Sequence, residues 1–309
     1  MNIKVSKNIK ETFPYLVPNF ISNFEGCNSK DSFTLSISNT SLDYQAKKLI
    51  EKIVTSQAKK KALPILRLSD GEYTFLFGYK RPVFRNVDIF TYTLRYLRYV
   101  IKYKFKKQVS ASTRPGVSSG NYTFEESTKA RERVVSGVIG VASNGYLALH
   151  TTYATKPFQE AYHGDLVSFL RGIGVDLSET NYIPFYIVYA LFQMPDFKDI
   201  LCGKSLTIVT HASLAKKQVI EQSLMMSYAI GSINWIDISQ SRSLYDTLAE
   251  PSSVGDFIFV AAGIGKFNIF SQLLERSAHA TIIDVGYMLE VWANPTENHI
   301  RPYTYLGGK

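Results

Sequence analysis

The sequence predicts an α/β fold built on a Rossmann-like parallel sheet with flanking helices, and three observations carry that expectation. From residue 204 onward, short apolar runs alternate with helical stretches: 205–210, 233–238, 256–262 and 280–285 are separated by 213–228, 241–249 and 266–276. The apolar runs end in small or polar residues, as in Gly263-Ile264-Gly265 and Asp284-Val285-Gly286. The middle of the chain carries helical periodicity, with Gly and Pro at the joints. Buried strands alternating with helices demand crossover connections and hence parallel pairing.

Composition sets the bounds. The chain has 309 residues, 45% hydrophobic and 20% charged, with a mean hydropathy of −0.05. Such a chain buries enough surface to fold without disulfides or a structural metal, and it is neither disordered nor fibrous. The longest apolar run, Ile183 to Phe192, spans ten residues, about half of what a bilayer helix requires. Asn8, Glu11 and Pro14 interrupt any signal-peptide core near the N-terminus, and Cys27 and Cys202 stand far apart. These features predict a protein of the reducing cytoplasm.

Residues 1–40 read as an irregular arm and 41–309 as a single α/β domain. In Asp43 to Ala62, Ala46, Leu49, Ile50, Ile53 and Val54 fall on one helical face, while Lys47, Lys48, Glu51 and Lys52 face outward. Pro64 stops this helix, and Ile65 to Leu68 is a short strand. Further helices are expected over Asp88 to Lys107, Glu125 to Val141, Phe158 to Arg171 and Tyr182 to Gln193. The strand–helix alternation follows, with helices from Ser213 to Tyr228, Ser241 to Ala249 and Lys266 to Arg276.

Charge is uneven. Residues 1–110 contain 20 Lys and Arg against 8 Asp and Glu, whereas the remainder contains 15 against 18. Arg95, Arg98, Lys102, Lys104, Lys106 and Lys107 interleave with Tyr92, Tyr96, Tyr99, Tyr103 and Phe105. That mixture suits anionic headgroups or RNA, and it equally suits a helix whose aromatic side is buried and whose basic side is solvated.

In a parallel sheet all strand ends meet at one edge, where ligands bind. Asp70, Glu72, His211, Lys266 and Asp284 therefore converge if the topology is right, and Thr210 closes the strand before His211. An Asp70-Gly71-Glu72 turn can aim two carboxylates at a divalent cation, or Asp70 can simply cap a helix begun by Glu72. Gly263-Ile264-Gly265 opens a helix whose N-terminus suits phosphate or ribose, although Asn268 stands where the dinucleotide fingerprint needs its third glycine. No HExxH or Walker loop is present, which disfavours metalloproteases and P-loop kinases.

Arg67-Leu68-Ser69-Asp70-Gly71-Glu72 resembles the Arg-x-x-Asp-Gly-Glu segment of glycosyltransferases with the GT-D fold. Val260 to Lys266 and Ala280 to Gly286 resemble that family's C-terminal pair of strand ends, and Thr155-Lys156-Pro157-Phe158 resembles its Thr-Arg-Pro-aromatic segment. The chain departs from the family at Tyr287, where His is frequent, and at Lys156, where the family has Arg. The resemblance implies transfer of a sugar from a nucleotide-diphosphate donor, commonly UDP-linked, to a hydroxyl of a bacterial surface glycan, lipid-linked or glycoprotein acceptor. It implies Mn²⁺ or Mg²⁺ held by Asp70 and Glu72, with Asp70, Glu72 and Asp284 acting in catalysis. Arg67, Gly71, Thr210, His211, Gly263, Gly265 and Lys266 would line the donor site, and Glu290 is a further candidate base. Peripheral contact with the inner membrane face through residues 95–107 is expected, and nucleic acid is not. The alternatives are an S-adenosylmethionine-dependent methyltransferase using the Gly263 turn and a non-enzymatic module that docks RNA or membrane.

Overall fold

The computed structural model describes residues 42–68, 72, 89–105, 124–149, 166, 168–185, 187–239, 243–249, 254–277 and 279–295. The expected N-terminal arm, Asp70, Gly71 and the Thr155–Phe158 segment lie outside these residues.

Seven strands form one wholly parallel sheet: β1 (Leu63–Leu68), β2 (Tyr146–Leu149), β3 (Tyr182–Pro184), β4 (Ser205–Thr210), β5 (Ser232–Asp237), β6 (Phe257–Ala261) and β7 (Thr281–Asp284). Their order is β3-β2-β1-β7-β6-β4-β5. Among the described residues, the helices with both ends placed are α1 (Leu42–Ala58), α2 (Ile89–Tyr99, continued as a π-helix over Val100–Phe105), α3 (Phe124–Asn144), α4 (Ile187–Leu191), α5 (Pro195–Leu201), α6 (Leu214–Tyr228), α7 (Lys266–Arg276) and α8 (Met288–Ala293), and residues 168–172 are helical as well. The expected Rossmann-like α/β architecture is what the chain adopts. Among the described residues, no helix is long and apolar enough to cross a membrane.

The two-residue period of the strands divides the core into two layers. Leu63 and Ile65 of β1 and Phe257 and Phe259 of β6 face α1, α4, α5, α6 and α8. On that side Phe192 meets Phe197, Tyr228, Phe259 and Trp292 edge-on, the geometry that aromatic quadrupoles favour. Leu66, Leu68, Ile258 and Val260 face α3 and α7 on the other side. Helices α3 and α7 approach so closely that a Cβ on Gly137 would lie 2.6 Å from the Phe267 carbonyl oxygen.

Crossovers moving toward β3 run over the α3 and α7 layer, while those moving toward β5 run over the opposite layer. All of them therefore share one handedness, as the twist of parallel strands requires. The chain leaves β7 into α8 on one face, whereas α3, which returns the chain from β1 to β2, covers the other. Neighbouring strands whose connections diverge in this way open a crevice at their carboxyl ends.

Three sequence expectations are corrected. Tyr182 to Gln193 is not one helix: Tyr182–Pro184 pairs with Leu147–Leu149 as β3, and α4 begins only at Ile187. Pro184 disfavours helical dihedrals at Ile183, which keeps that stretch extended. The expected helix over Ser241 to Ala249 is also not formed in the described part, 243–249. Its carbonyls are satisfied from outside: Arg133 donates to Leu244, Asn268 to Ser243 and Asp246, Gln272 to Asp246, and Arg276 to Leu248. Finally, the middle of the chain contributes strands as well as helices, since β2 follows directly on Gly145.

Candidate functional site

Three sequence segments meet at the carboxyl ends of β1, β7 and β6. Arg67 follows Leu63 and Ile65 on the α4 face of β1, while Asp284 follows Ile282 on the opposite face of β7. They join across the sheet edge. The Arg67 Nε–H donates to the Asp284 carbonyl at 2.6 Å, Nη2 to Oδ1 at 2.8 Å, and the backbone N–H to Oδ2 at 3.2 Å. Lys266, the first residue of α7, donates to the same Oδ2 at 2.9 Å and to Glu72 Oε1 at 2.6 Å.

All four residues are deeply buried, with exposures of 4% for Arg67 and Lys266, 1% for Asp284 and 7% for Glu72. Burial penalises each charge, but the partners outweigh it. Burial alone would raise the Asp284 pKa, yet Arg67 and Lys266 hold it below the usual carboxylate range. Burial likewise pulls Lys266 down, and Asp284 and Glu72 reverse that, so its ammonium is held above the usual range. Both groups stay charged at neutral pH.

Aromatic rings complete the setting. The Arg67 guanidinium carbon lies 4.5 Å from the Tyr189 ring centroid and 5.2 Å from that of Phe185. Such cation–π contacts leave a guanidinium edge available for hydrogen bonds. The Arg67 Nη1 is buried and meets no hydrogen-bond partner among the described residues. A buried donor left in this state is costly, so it marks a place where a ligand oxygen would be stabilised. Gly286 follows β7 with a φ of +43°, and a Cβ there would run into Arg67 Nη2.

The Gly263-Ile264-Gly265 turn is a single turn of 3₁₀ helix, in which Gly263 has a φ of +52°, and it delivers Lys266 to the cluster. A Cβ on Gly265 would collide with Ser243 rather than with open space. Gly265 is therefore required by the packing of this chain, which is a different reason from the nucleotide approach expected for it. The remaining expected residues are arranged differently. Thr210 is buried, and its hydroxyl accepts the Ala212 N–H at 3.3 Å. His211 lies beside Glu290 and Lys216, which are themselves paired at 3.1 Å. Partial burial lowers the His211 pKa, with Glu290 opposing and Lys216 reinforcing the effect.

The described carboxylates do not make a metal centre. Both oxygens of Asp284 already accept from cations of the chain, and Glu72 is ion-paired to Lys266. No group of three or more His, Cys, Asp and Glu suited to a metal occurs among the described residues.

Sequence reasoning did not find Tyr189, Phe185 or Gly286 as parts of this arrangement. Gly286 carried a usable signal, a glycine two residues after a buried strand's terminal acid. Tyr189 and Phe185 were hidden by the assignment of their segment to one helix. No family model, curated protein or solved structure matches the chain.

Proposed function

We propose that the chain is a glycosyltransferase that draws its sugar from a nucleotide-diphosphate donor and passes it to a hydroxyl acceptor. The observation that supports this reading is the convergence of Arg67 and Glu72, Lys266, and Asp284, the charged residues of three separate segments that resemble GT-D glycosyltransferases. They meet at a sheet edge where parallel folds bind nucleotides.

In the reaction, the bond between the anomeric carbon and the diphosphate oxygen breaks as the acceptor oxygen bonds to that carbon, and the acceptor proton leaves to a base. Negative charge gathers on the departing diphosphate. Fixed positive charge in a buried site stabilises it without reorganisation at the moment of reaction. Arg67, with its uncommitted Nη1, and Lys266 fit that task. Asp284, committed to both cations, orients them; its low proton affinity makes it a poor base. Because the described residues lack a metal donor set, no step is assigned to Mn²⁺ or Mg²⁺.

The test is a thermal-shift panel with UDP, GDP and S-adenosylhomocysteine, each with and without Mn²⁺, followed by a transfer assay with the donor sugars of the stabilising nucleotide. A shift with a nucleoside diphosphate and subsequent sugar transfer support the proposal. Stabilisation by S-adenosylhomocysteine alone would overturn it in favour of methyl transfer.

A further inference from the structure

We propose that α2 and its π-helical continuation, Ile89–Phe105, form an interfacial helix that lies in the surface of an anionic phospholipid membrane. The inference rests on a stripe that the structure leaves uncovered. Phe90, Leu94, Leu97, Ile101 and Phe105 recur at steps of four, three, four and four residues, the spacing of a single helical face. Their exposures run from 43% for Ile101 to 78% for Phe105. No other described element makes more than marginal contact with this helix. A continuous apolar stripe left in water signals a partner, whereas scattered surface hydrophobics do not.

Charge identifies the partner. Residues 89–107 contain Arg95, Arg98, Lys102, Lys104, Lys106 and Lys107 and no acid. In sequence, Arg95, Arg98 and Lys102 each follow a stripe residue by one position, and Arg98 is exposed. A second copy of the chain docking through this stripe would bring two cationic segments together with no carboxylate in either. RNA could stack on Phe90, Tyr96 and Phe105, but it would leave the aliphatic Leu94, Leu97 and Ile101 facing a polyanion with no apolar cover. An anionic leaflet satisfies both residue classes at once: phosphates take the Lys and Arg of this segment, and the acyl boundary takes the apolar stripe. The recurring tyrosines at 92, 96, 99 and 103 belong to the residue types enriched at that boundary.

Co-sedimentation of the full chain with vesicles of phosphatidylcholine, or of phosphatidylcholine mixed with phosphatidylglycerol, tests the proposal. Wild type should pellet with the mixed vesicles at low salt and partition at least about tenfold less onto phosphatidylcholine alone. Leu94→Gln/Leu97→Gln/Ile101→Gln should lower partitioning at least about tenfold at every salt concentration. Arg95→Gln/Arg98→Gln/Lys102→Gln should remove most of the salt dependence. The melting temperature of the first variant should match wild type, because these side chains are exposed. Four results would overturn the proposal: wild type that ignores anionic vesicles at low salt, undiminished binding by the stripe variant, a lower melting temperature showing that the fold covers the stripe, or a wild-type dimer that the stripe variant dissociates. The vesicle assay contains no nucleotide, so its failure leaves the donor reading intact, and failure of the donor reading leaves this one intact.

Discussion

Replacing Asp284 by Asn probes how the cluster is held together. The side chain keeps its volume and one acceptor oxygen but loses the charge that Arg67 and Lys266 share. Both cations then remain buried, Lys266 with Glu72 as its remaining ion-pair partner in the cluster and Arg67 with the Asp284 carbonyl, a neutral amide oxygen and the Tyr189 and Phe185 rings but no carboxylate among its described contacts. Removing one partner from a buried ion pair costs about 3–5 kcal/mol. At about 2–4 °C per kcal/mol in chains of this size class, the melting temperature should fall by roughly 10 °C. Urea unfolding gives the free energy directly, provided the slope with denaturant is unchanged. A double variant, Asp284→Asn/Lys266→Met, removes a cation as well, so it should be less destabilised than the two single variants summed, by about 0.5–3 kcal/mol. Glu72→Gln should cost less than Asp284→Asn, since it removes one partner from one cation, but it should still lower the melting temperature. A single Asp284→Asn variant within about 1 kcal/mol of wild type would refute the buried network.

Other perturbations test the surroundings. Gly286→Ala forces a side chain onto a positive φ and into Arg67 Nη2; it should cost at least about 1–3 kcal/mol by urea unfolding. Gly265→Ala should destabilise through its collision with Ser243, and Ser243→Gly should recover part of the loss in the double variant, also by urea unfolding. For pH, Asp284 titrates below its unfolded value of about 3.9 and Lys266 above its unfolded value of about 10.4. The stabilisation from Asp284 is thus present above pH 4 or so and is lost as pH falls through its lower native value. That from Lys266 is present below about pH 10 and is lost as pH rises through its raised native value. The melting-temperature gap between wild type and Asp284→Asn should stay level from about pH 5 to 9 and close in acid; a gap that varies across neutral pH would contradict this assignment.

The C-terminal half was legible because its signals are local. Ser205 to Thr210 and Lys266 to Arg276 match the observed β4 and α7, since a buried run of β-branched residues and an amphipathic helix each declare themselves within one window. Elements whose reason lies elsewhere in the chain were not legible. Strand β2 has four residues and β3 three, and each exists through pairing with a neighbour distant in sequence. Segment 243–249 is shaped by side chains of α3 and α7 that take the place of helical hydrogen bonds. Pro64, read as a stop, sits second in β1, where the strand's first N–H, from Leu63, reaches the Ala280 carbonyl and the missing donor is tolerated. The site followed the same division. Strand ends named Arg67, Glu72, Lys266 and Asp284, whereas the pairing among them, the Tyr189 ring and the room made by Gly286 depend on tertiary placement.

The central claim is that this buried cationic pair receives a nucleoside diphosphate, and Arg67→Lys tests it most directly. Lysine keeps the positive charge beside Asp284 but lacks the planar fork and the free Nη1 of Arg67. Titration calorimetry of the nucleoside diphosphate against wild type and this variant is the measurement, with melting curves confirming that both are folded. The account predicts binding to wild type that weakens at least about tenfold in the variant, the loss expected when a hydrogen bond to a charged group is removed. Equal affinity in a folded Arg67→Lys protein, or no binding of any nucleoside diphosphate to wild type, would contradict it.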